Sequence, residues 1–281
     1  AIEKATKDVK PFEVTTYDSG NLLCVNIFDL HIGKLAWDKE TGEDYNVDIA
    51  VSRYKTALED LINKSSGYNI ERVLFPVGND LFNSDKHYPF PSTTKGTPQT
   101  DDTRWQKMFK MGVELMVYSI HRLSMIAPVD AVTVFSNHDH ERVFYLGEVL
   151  QAAFLNSDRV SIDNSPKVRK YYCWGGCLLG LAHGHNEKPE QLPLIMAQES
   201  KIDWANTFYR EFILGHLHHS KKLLTQTSKD YQGVHVTYLT SPSAADSYHF
   251  EKGFIGAMKG AEAFIYDKQE GKVGIVIHNI K

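Results

Sequence analysis

The chain has 281 residues, 42% of them hydrophobic, with a formal net charge of −4. That is enough apolar material for one large core or two small ones, and a single α/β domain spanning 1–281 is the simpler expectation, with 1–20 as a peripheral or linker segment. The acidic balance excludes binding of a bulk polyanion through net charge, so a nucleic-acid substrate would have to be held by a local patch or by metals.

No signal peptide and no apolar run long enough to span a bilayer is visible. The first residue is Ala1, and the charged, aperiodic opening to Pro11 reads as the start of a piece cut or processed from a longer chain. Leu22 to Phe28 reads as a buried strand ending at Asp29, and Asp38 to Asp48 as a polar, turn-rich segment. From Asp48 the pattern turns helical, with Val51, Tyr54, Leu58, Leu61 and Ile62 recurring at threes and fours until Ser65-Ser66-Gly67. Arg72 to Val77 is a second strand, expected to be short or irregular because Pro76 interrupts it. His87 to Asp102 has no periodicity, and its place after an acidic cluster favours a functional loop over a surface insertion. Trp105 to Ile126 is an amphipathic helix, Asp130 to Phe135 a third strand and Val143 to Leu155 another helix.

Val168 to Trp174 and Cys177 to Ala182 form a predicted hairpin over Gly175-Gly176. Cys173 and Cys177 flank it as packed thiols or, alternatively, a disulfide, and no second pair exists to make a zinc ribbon. Pro189 to Ser200 reads as helical and Glu211 to Leu214 as a short strand. Val234 to Leu239, Ala263 to Asp267 and Val273 to His278 read as β, the last two joined through Gly271.

Five of these strands deliver Asp, Asn and His clusters. They are Asp29-Leu30-His31, Gly78-Asn79-Asp80, Asn137-His138-Asp139, His183-Gly184-His185 and Gly215-His216-Leu217-His218. An Asp and a His two apart at a strand end share one side of the backbone, and ligands of α/β sheets collect beyond carboxyl strand ends. The donor set is oxygen and imidazole without thiolate, which suits Mn, Fe, Zn or Ni rather than an iron–sulfur or structural zinc site.

In this order the motifs resemble the calcineurin-like metallophosphoesterase family, over a stretch from Asp29 to His218. Thr93 to Gln99 and Arg169-Lys170-Tyr171-Tyr172 further resemble a phage and prophage branch described as DNA-repair-exonuclease-like. The resemblance implies two mixed sheets forming a sandwich flanked by helices, and two divalent metal ions, manganese first, with Fe, Zn, Ni or Mg as alternatives. It implies that Asp29, His31 and His218 ligate one metal, that Asp80 bridges, and that Asn137, His183 and His216 ligate the second. It also implies that His138 contacts the scissile phosphate and protonates the leaving oxygen, with Asp139 orienting the imidazole. The extra Asn79 between Gly78 and Asp80 departs from the family's Gly-Asp. The bridge is placed on Asp80, since an amide cannot supply shared anionic oxygens, with Asp85 as the fallback. Ser136 replaces the usual Gly before Asn137.

The expected activity is metal-dependent hydrolysis of a phosphoester, first a phosphodiester in DNA or RNA. The location implied is cytoplasmic, in the host if the chain is phage-encoded, with no membrane partner. The alternatives are a nucleotide or other small phosphoester, a phosphoprotein, and a non-catalytic module with a degenerate metal site. Lys95, Arg169 and Lys170 are candidates for holding a phosphate backbone, against a solvated edge; Tyr171, Tyr172 and Trp174 for stacking on a base, against core. His185, with His140 and His219, is a candidate substrate contact, against packing beside ligands. His87, His121, His235, His249 and His278 fit no motif and read as surface or hydrogen-bonded structural residues.

Overall fold

The computed structural model describes residues 20–217, 228–251, 253 and 258–280. Eleven strands among them form two sheets. The strands are β1 Asn21–Asn26, β2 Ile70–Gly78, β3 Val129–Val134, β4 Val160–Asp163, β5 Lys170–Trp174, β6 Cys177–Ala182, β7 Tyr209–Leu214, β8 Ser228–Tyr231, β9 Val234–Tyr238, β10 Lys259–Asp267 and β11 Gly271–Ile280. The first sheet has the order β11-β10-β1-β2-β3-β4, with β1 to β4 parallel and β10 antiparallel to β1. The second has the order β5-β6-β7-β9-β8, with β6, β7 and β9 parallel. The helices are α1 Asp38–Thr41, α2 Val47–Lys64, α3 Trp105–Ser124, α4 His140–Ala153, α5 Leu192–Glu199, α6 Lys201–Asn206 and α7 Ser247–Glu251.

The alternation along each strand explains the layering, because successive side chains leave opposite faces. Leu23 and Val25 of β1, Val73, Phe75 and Val77 of β2, and Ala263 and Ile265 of β10 pack with the apolar faces of α2, α3 and α4. Their neighbours Leu22, Cys24, Leu74 and Phe264 point the other way, into a core shared with Cys177, Leu179, Leu181 and Ile213 of the second sheet. Leu178, Ala182, Phe212 and Leu214, on the far face of that sheet, meet Leu192 and Met196 of α5. The result is helix, sheet, sheet, helix, the expected two-sheet sandwich. Burial on both faces is why these strands read as unbroken apolar runs.

Two edge strands carried no readable signal. β4 is four residues of Val-Ser-Ile-Asp, and β8 is Ser-Lys-Asp-Tyr. The strand β2 is longer than the proline suggested, nine residues without a break. Val73 donates its N–H to Pro128 O, on the β3 side, so the donor missing at Pro76 falls on the β1 side. There β1 pairs β2 only as far as Leu74, and no ladder bond is lost. All three cysteines are free, Cys24 and Cys177 buried and Cys173 exposed. No helix among the described residues is long and apolar enough to cross a membrane.

Candidate metal centre

The segments that follow β1 and β2 run side by side. Asp29 N–H donates to Asn79 O (2.9 Å), His31 N–H to Asp80 O (2.9 Å) and Ile32 N–H to Leu81 O (2.7 Å). The register requires unusual backbone. Asp29, His31, Asn79, Asp80 and His216 all have positive φ, between 51° and 71°, and the sixth such non-glycine residue described is Gln232 in a turn. Each left-handed side-chain-bearing residue costs about 1–3 kcal/mol, less for Asn and Asp than for His. Strain gathered at one end of two sheets, on the very residues with metal-competent side chains, is retained for what it presents. Gly78, at φ 103°, makes the turn possible: a Cβ there would stand 2.6 Å from Val134 O.

These loops build two groups of candidate ligand atoms, His31 with Asp80 and His138, and Asp80 with His183 and His216. Asp80 belongs to both. Its Oδ2 lies 3.2 Å from His183 Nε2 and 3.7 Å from His31 Nε2. Burial alone would raise the Asp80 carboxyl, but the imidazoles of His183 and His138 outweigh it and hold it well below the usual carboxylate range. Asp29 is fully buried, and both its oxygens accept the His216 N–H at 3.1 Å. Burial, opposed by His183, then the charge of Asp80, leave its carboxyl raised. His216 is pushed down to about 4 by burial and by His183. Asn137 lines the same cleft. His218 lies outside the described residues.

Asn79, Asn83, Asp139 and Ser136 hold the candidate ligands in place. Asn79, the extra residue of the second motif, accepts from His183 Nδ1 at 2.5 Å. That bond fixes the tautomer, so Nε2 is the atom turned to Asp80 and open to a cation. Asn79→Ala is expected to weaken Mn²⁺ binding about 10–100-fold with far-UV circular dichroism unchanged, as titration calorimetry would show.

The His138 imidazole is held not by Asp139 but by the Asn83 carbonyl, 2.8 Å from Nδ1. The Asp139 carboxylate turns back to its own loop, accepting from Ser136 Oγ and from Phe82 N–H (3.0 Å). It is therefore a brace between the second and third motifs, and Ser136 is the side chain that ties it to Asp80 N–H (3.1 Å). Asp85, the fallback bridge, is a helix cap instead. Its Oδ1 accepts the Glu141 and Arg142 N–H groups of α4 at 3.0 and 3.1 Å, and its Oδ2 accepts from Thr94 Oγ1 at 2.9 Å. Asp85→Ala is expected to cost about 1–2 kcal/mol, visible as a lowered Tm, because the first turn of α4 loses its acceptor.

The loop after Asp85 returns to the site: Thr94 N–H donates to Asn137 O (2.9 Å), and Lys95 stands in the cleft wall. This cleft, about 1230 Å³, is lined by His31, Asp80, Asn137, His138 and His216 and continues past Lys34, Trp37 and Ile49. Lys34 carried no motif, yet it is buried beside the centre, its Nζ donating to Ser243 Oγ and Ala244 O at 3.3 Å each. The ring of His185 lies 5.3 Å from that of His183 and 6.0 Å from that of His216, so it borders the centre.

Arg169 and Tyr171 are not brought there. The Arg169 guanidinium is taken up by Glu187 (2.8 Å) and Glu199 (2.5 Å), and Tyr171 Oη donates to Glu199 (2.7 Å). Both line a separate hollow of about 610 Å³. Tyr172 donates to Asp130 (2.6 Å) and Trp174 is buried between the sheets. Among the histidines outside the motifs, His235 and His278 bond Asp230 and Asp60, each at 2.7 Å.

The residues fit a pair of divalent cations. Asn137 Oδ1 is buried with no hydrogen-bond partner among the described residues, a costly state that a cation relieves, and Asp80 Oδ2 faces only imidazole nitrogens. The donors are imidazole nitrogen and carboxylate or amide oxygen, which suits a hard or borderline divalent ion.

Fold and site thus define a four-layer α/β protein with a candidate two-cation centre at the strand ends. No family model matches the chain, and no curated protein does. Among solved structures it is similar to Vps29 of Chaetomium thermophilum in complex with a cyclic peptide, at 9% identity and TM-score 0.32, covering 94% of this chain and 97% of that one. It is also similar to a phosphatase of Mycoplasma pneumoniae, at 10% identity and TM-score 0.40, covering 94% of each chain. Likenesses this remote add nothing to the reading of the site.

Proposed function

We propose that the chain is a two-metal phosphoester hydrolase acting on phosphodiesters of DNA or RNA. The observation that carries the reading is Asp80, one buried carboxylate shared by two groups of ligand atoms. Asp80 would bridge the two ions, with His31 and Asp29 on one side, and His183, His216 and Asn137 on the other. His218 is proposed with the first group. Two divalent cations, manganese first and Fe, Zn, Ni or Mg as alternatives, would supply Lewis acidity and a water acidic enough to attack phosphorus near neutral pH.

The chain's own residues do the rest. The Asn83 carbonyl engages Nδ1 of His138 and leaves Nε2 as its working atom, to hand a proton to the departing alkoxide. Asp139 and Ser136 keep the His138 loop against Asp80. Lys95, presented by a loop bonded to Asn137 O, would hold a non-bridging phosphoryl oxygen, and His185 would border the substrate. A second reading, hydrolysis of nucleotides or small phosphoesters, is favoured by Glu40 and Asp44, whose carboxylates on the cleft wall repel a long polyanion.

The test is hydrolysis with Mn²⁺ of end-labelled single- and double-stranded DNA and of a small phosphodiester in parallel, with Asp80→Ala as blank. DNA cleavage absent from the blank supports the first reading, and cleavage of the small ester alone moves the assignment to the second. Two bound metals with no turnover of either substrate would sink both, leaving a metal-binding module.

A further inference from the structure

We infer that the outer arm of the cleft receives an unpaired nucleobase, that of the nucleoside esterified to the reacting phosphate, stacked on Trp37. The inference deepens the phosphoester reading and rests on it for the phosphate's position.

Trp37 is 60% exposed, and its neighbour Leu35 is 43% exposed. Both nevertheless line the cleft that contains His31, Asp80 and His138. An indole left open to solvent inside a site, where it could have been buried, offers a flat apolar face to a ligand. The shelf is also rigidly linked to the centre. Ala36 pairs with Tyr45 in both directions, at 2.9 and 3.0 Å. Tyr45 is fully buried, and its hydroxyl donates to Leu30 O at 2.6 Å, between the ligands Asp29 and His31. On the other side the Trp37 carbonyl accepts from Thr41 N–H and Glu40 N–H, which fixes it at the start of α1.

Charge decides what this arm can take. Glu40 and Asp44 line the same cleft, while Asp246 beside them stands 3.7 Å from Lys34 Nζ and is balanced by it. More phosphate passing those carboxylates would be repelled; an uncharged base would not. Stacking needs an exposed base face, so a base held within a duplex does not qualify. The ligand chemistry is therefore a phosphate ester carrying one unpaired base, from a free nucleotide or from the end of a single strand.

The experiment compares two esters with one leaving group, thymidine 5′-(4-nitrophenyl phosphate) and methyl 4-nitrophenyl phosphate, in the Mn²⁺-loaded protein. Trp37→Ala is expected to raise KM for the thymidine ester about 5- to 100-fold, the range of one base–aromatic stack, and to leave the methyl ester unchanged. Trp37→Phe should recover most of the loss. Equal effects on the two esters would show a structural role and overturn the inference.

Tryptophan fluorescence gives a readout independent of turnover. Thymidine 5′-monophosphate should quench the wild type but not Trp37→Phe, and inorganic phosphate should quench neither. No quenching by mononucleotide or by single-stranded tetranucleotide overturns the shelf, as does equal quenching by a blunt duplex. Quenching by the mononucleotide alone assigns a free nucleotide, and by the tetranucleotide alone a strand end. If the wild type hydrolyses neither ester, the hydrolase reading fails, while the quenching still decides the shelf.

Discussion

Asp80→Ala is expected to bind at most one divalent cation where the wild type binds two, and to lose turnover on the order of 10³-fold or more. The carboxylate is the only residue common to both groups of candidate ligand atoms, so its removal leaves Asp29 with His31 on one side and His183, His216 and Asn137, with no anion, on the other. Two imidazoles and an amide without an anion hold a hard or borderline cation poorly, so the second ion is the one lost. A metal pair supplies several kcal/mol of transition-state stabilisation, and each 1.4 kcal/mol is a factor of ten. Asp80 sits at φ 62°, where alanine is strained and asparagine is not, so Asp80→Asn is the companion variant. It keeps the backbone and the shape and removes only the charge. Metal analysis after gel filtration reads the stoichiometry. Thermal unfolding reads the same loss without activity, because an ion at 100 times its Kd adds about 2.7 kcal/mol per site to the wild type and correspondingly less to the variants. Two ions and undiminished turnover in Asp80→Asn would remove the shared-anion centre from consideration.

The five clusters were legible because their residue types are chemically unusual where they stand. Asp29, Asp80, His183 and His216 each follow a strand buried on both faces, where polar residues are expensive to bury without a partner. The strands were legible for the same reason, since apolar runs of six bounded by turn residues have few other solutions. What was not legible depends on distance in space. Asn79 reads as an insertion until its Oδ1 is found on His183, more than a hundred positions away. Asp139 reads as the partner of the histidine beside it, but adjacent residues in a turn diverge, and its oxygens reach Phe82 and Ser136 instead. Arg169 reads as a phosphate contact until Glu187 and Glu199 close on it from another helix and loop. A cation's availability is a property of what surrounds it, and no local pattern records that.

The strained backbone and the charge arrangement describe one design. Positive φ at Asp29, His31, Asn79 and Asp80 turns their side chains inward from two adjacent strand ends. The ladder between the two loops, closed by the Ile32–Phe82 bridge, offsets that strain with backbone hydrogen bonds. Lys34 adds a buried positive charge behind the first loop, where Asp29 and Asp80 both feel it. The wall formed by Ser243 and Ala244 anchors that lysine, and Ser241 Oγ donates to Asp29 O at 2.8 Å, so the segment after β9 supports the first motif.

Gly215→Ala should damage the centre more than any other single methyl added to it, while leaving the fold standing. A Cβ at 215 would lie 2.6 Å from Asn79 Oδ1 and 2.7 Å from Asp29 Oδ2, inside van der Waals contact with both. Neither side chain can retreat freely. Each is completely buried, Asn79 holding His183 and Asp29 taking the His216 N–H. The methyl would therefore displace the partner of one ligand and the carboxylate beside another. Overpacking of this kind costs about 1–3 kcal/mol, a fall of several degrees in Tm with native circular dichroism. The effect on function is larger, because ligand geometry is disturbed on both sides of Asp80: Mn²⁺ affinity and turnover should each fall about 100-fold or more. Gly67→Ala, with nothing within 4 Å of its Cβ, is the matched control and should change neither. Equal Mn²⁺ affinity in Gly215→Ala and Gly67→Ala would mean that Asp29 and Asn79 do not set the geometry of the centre, and the roles given to both would have to be withdrawn.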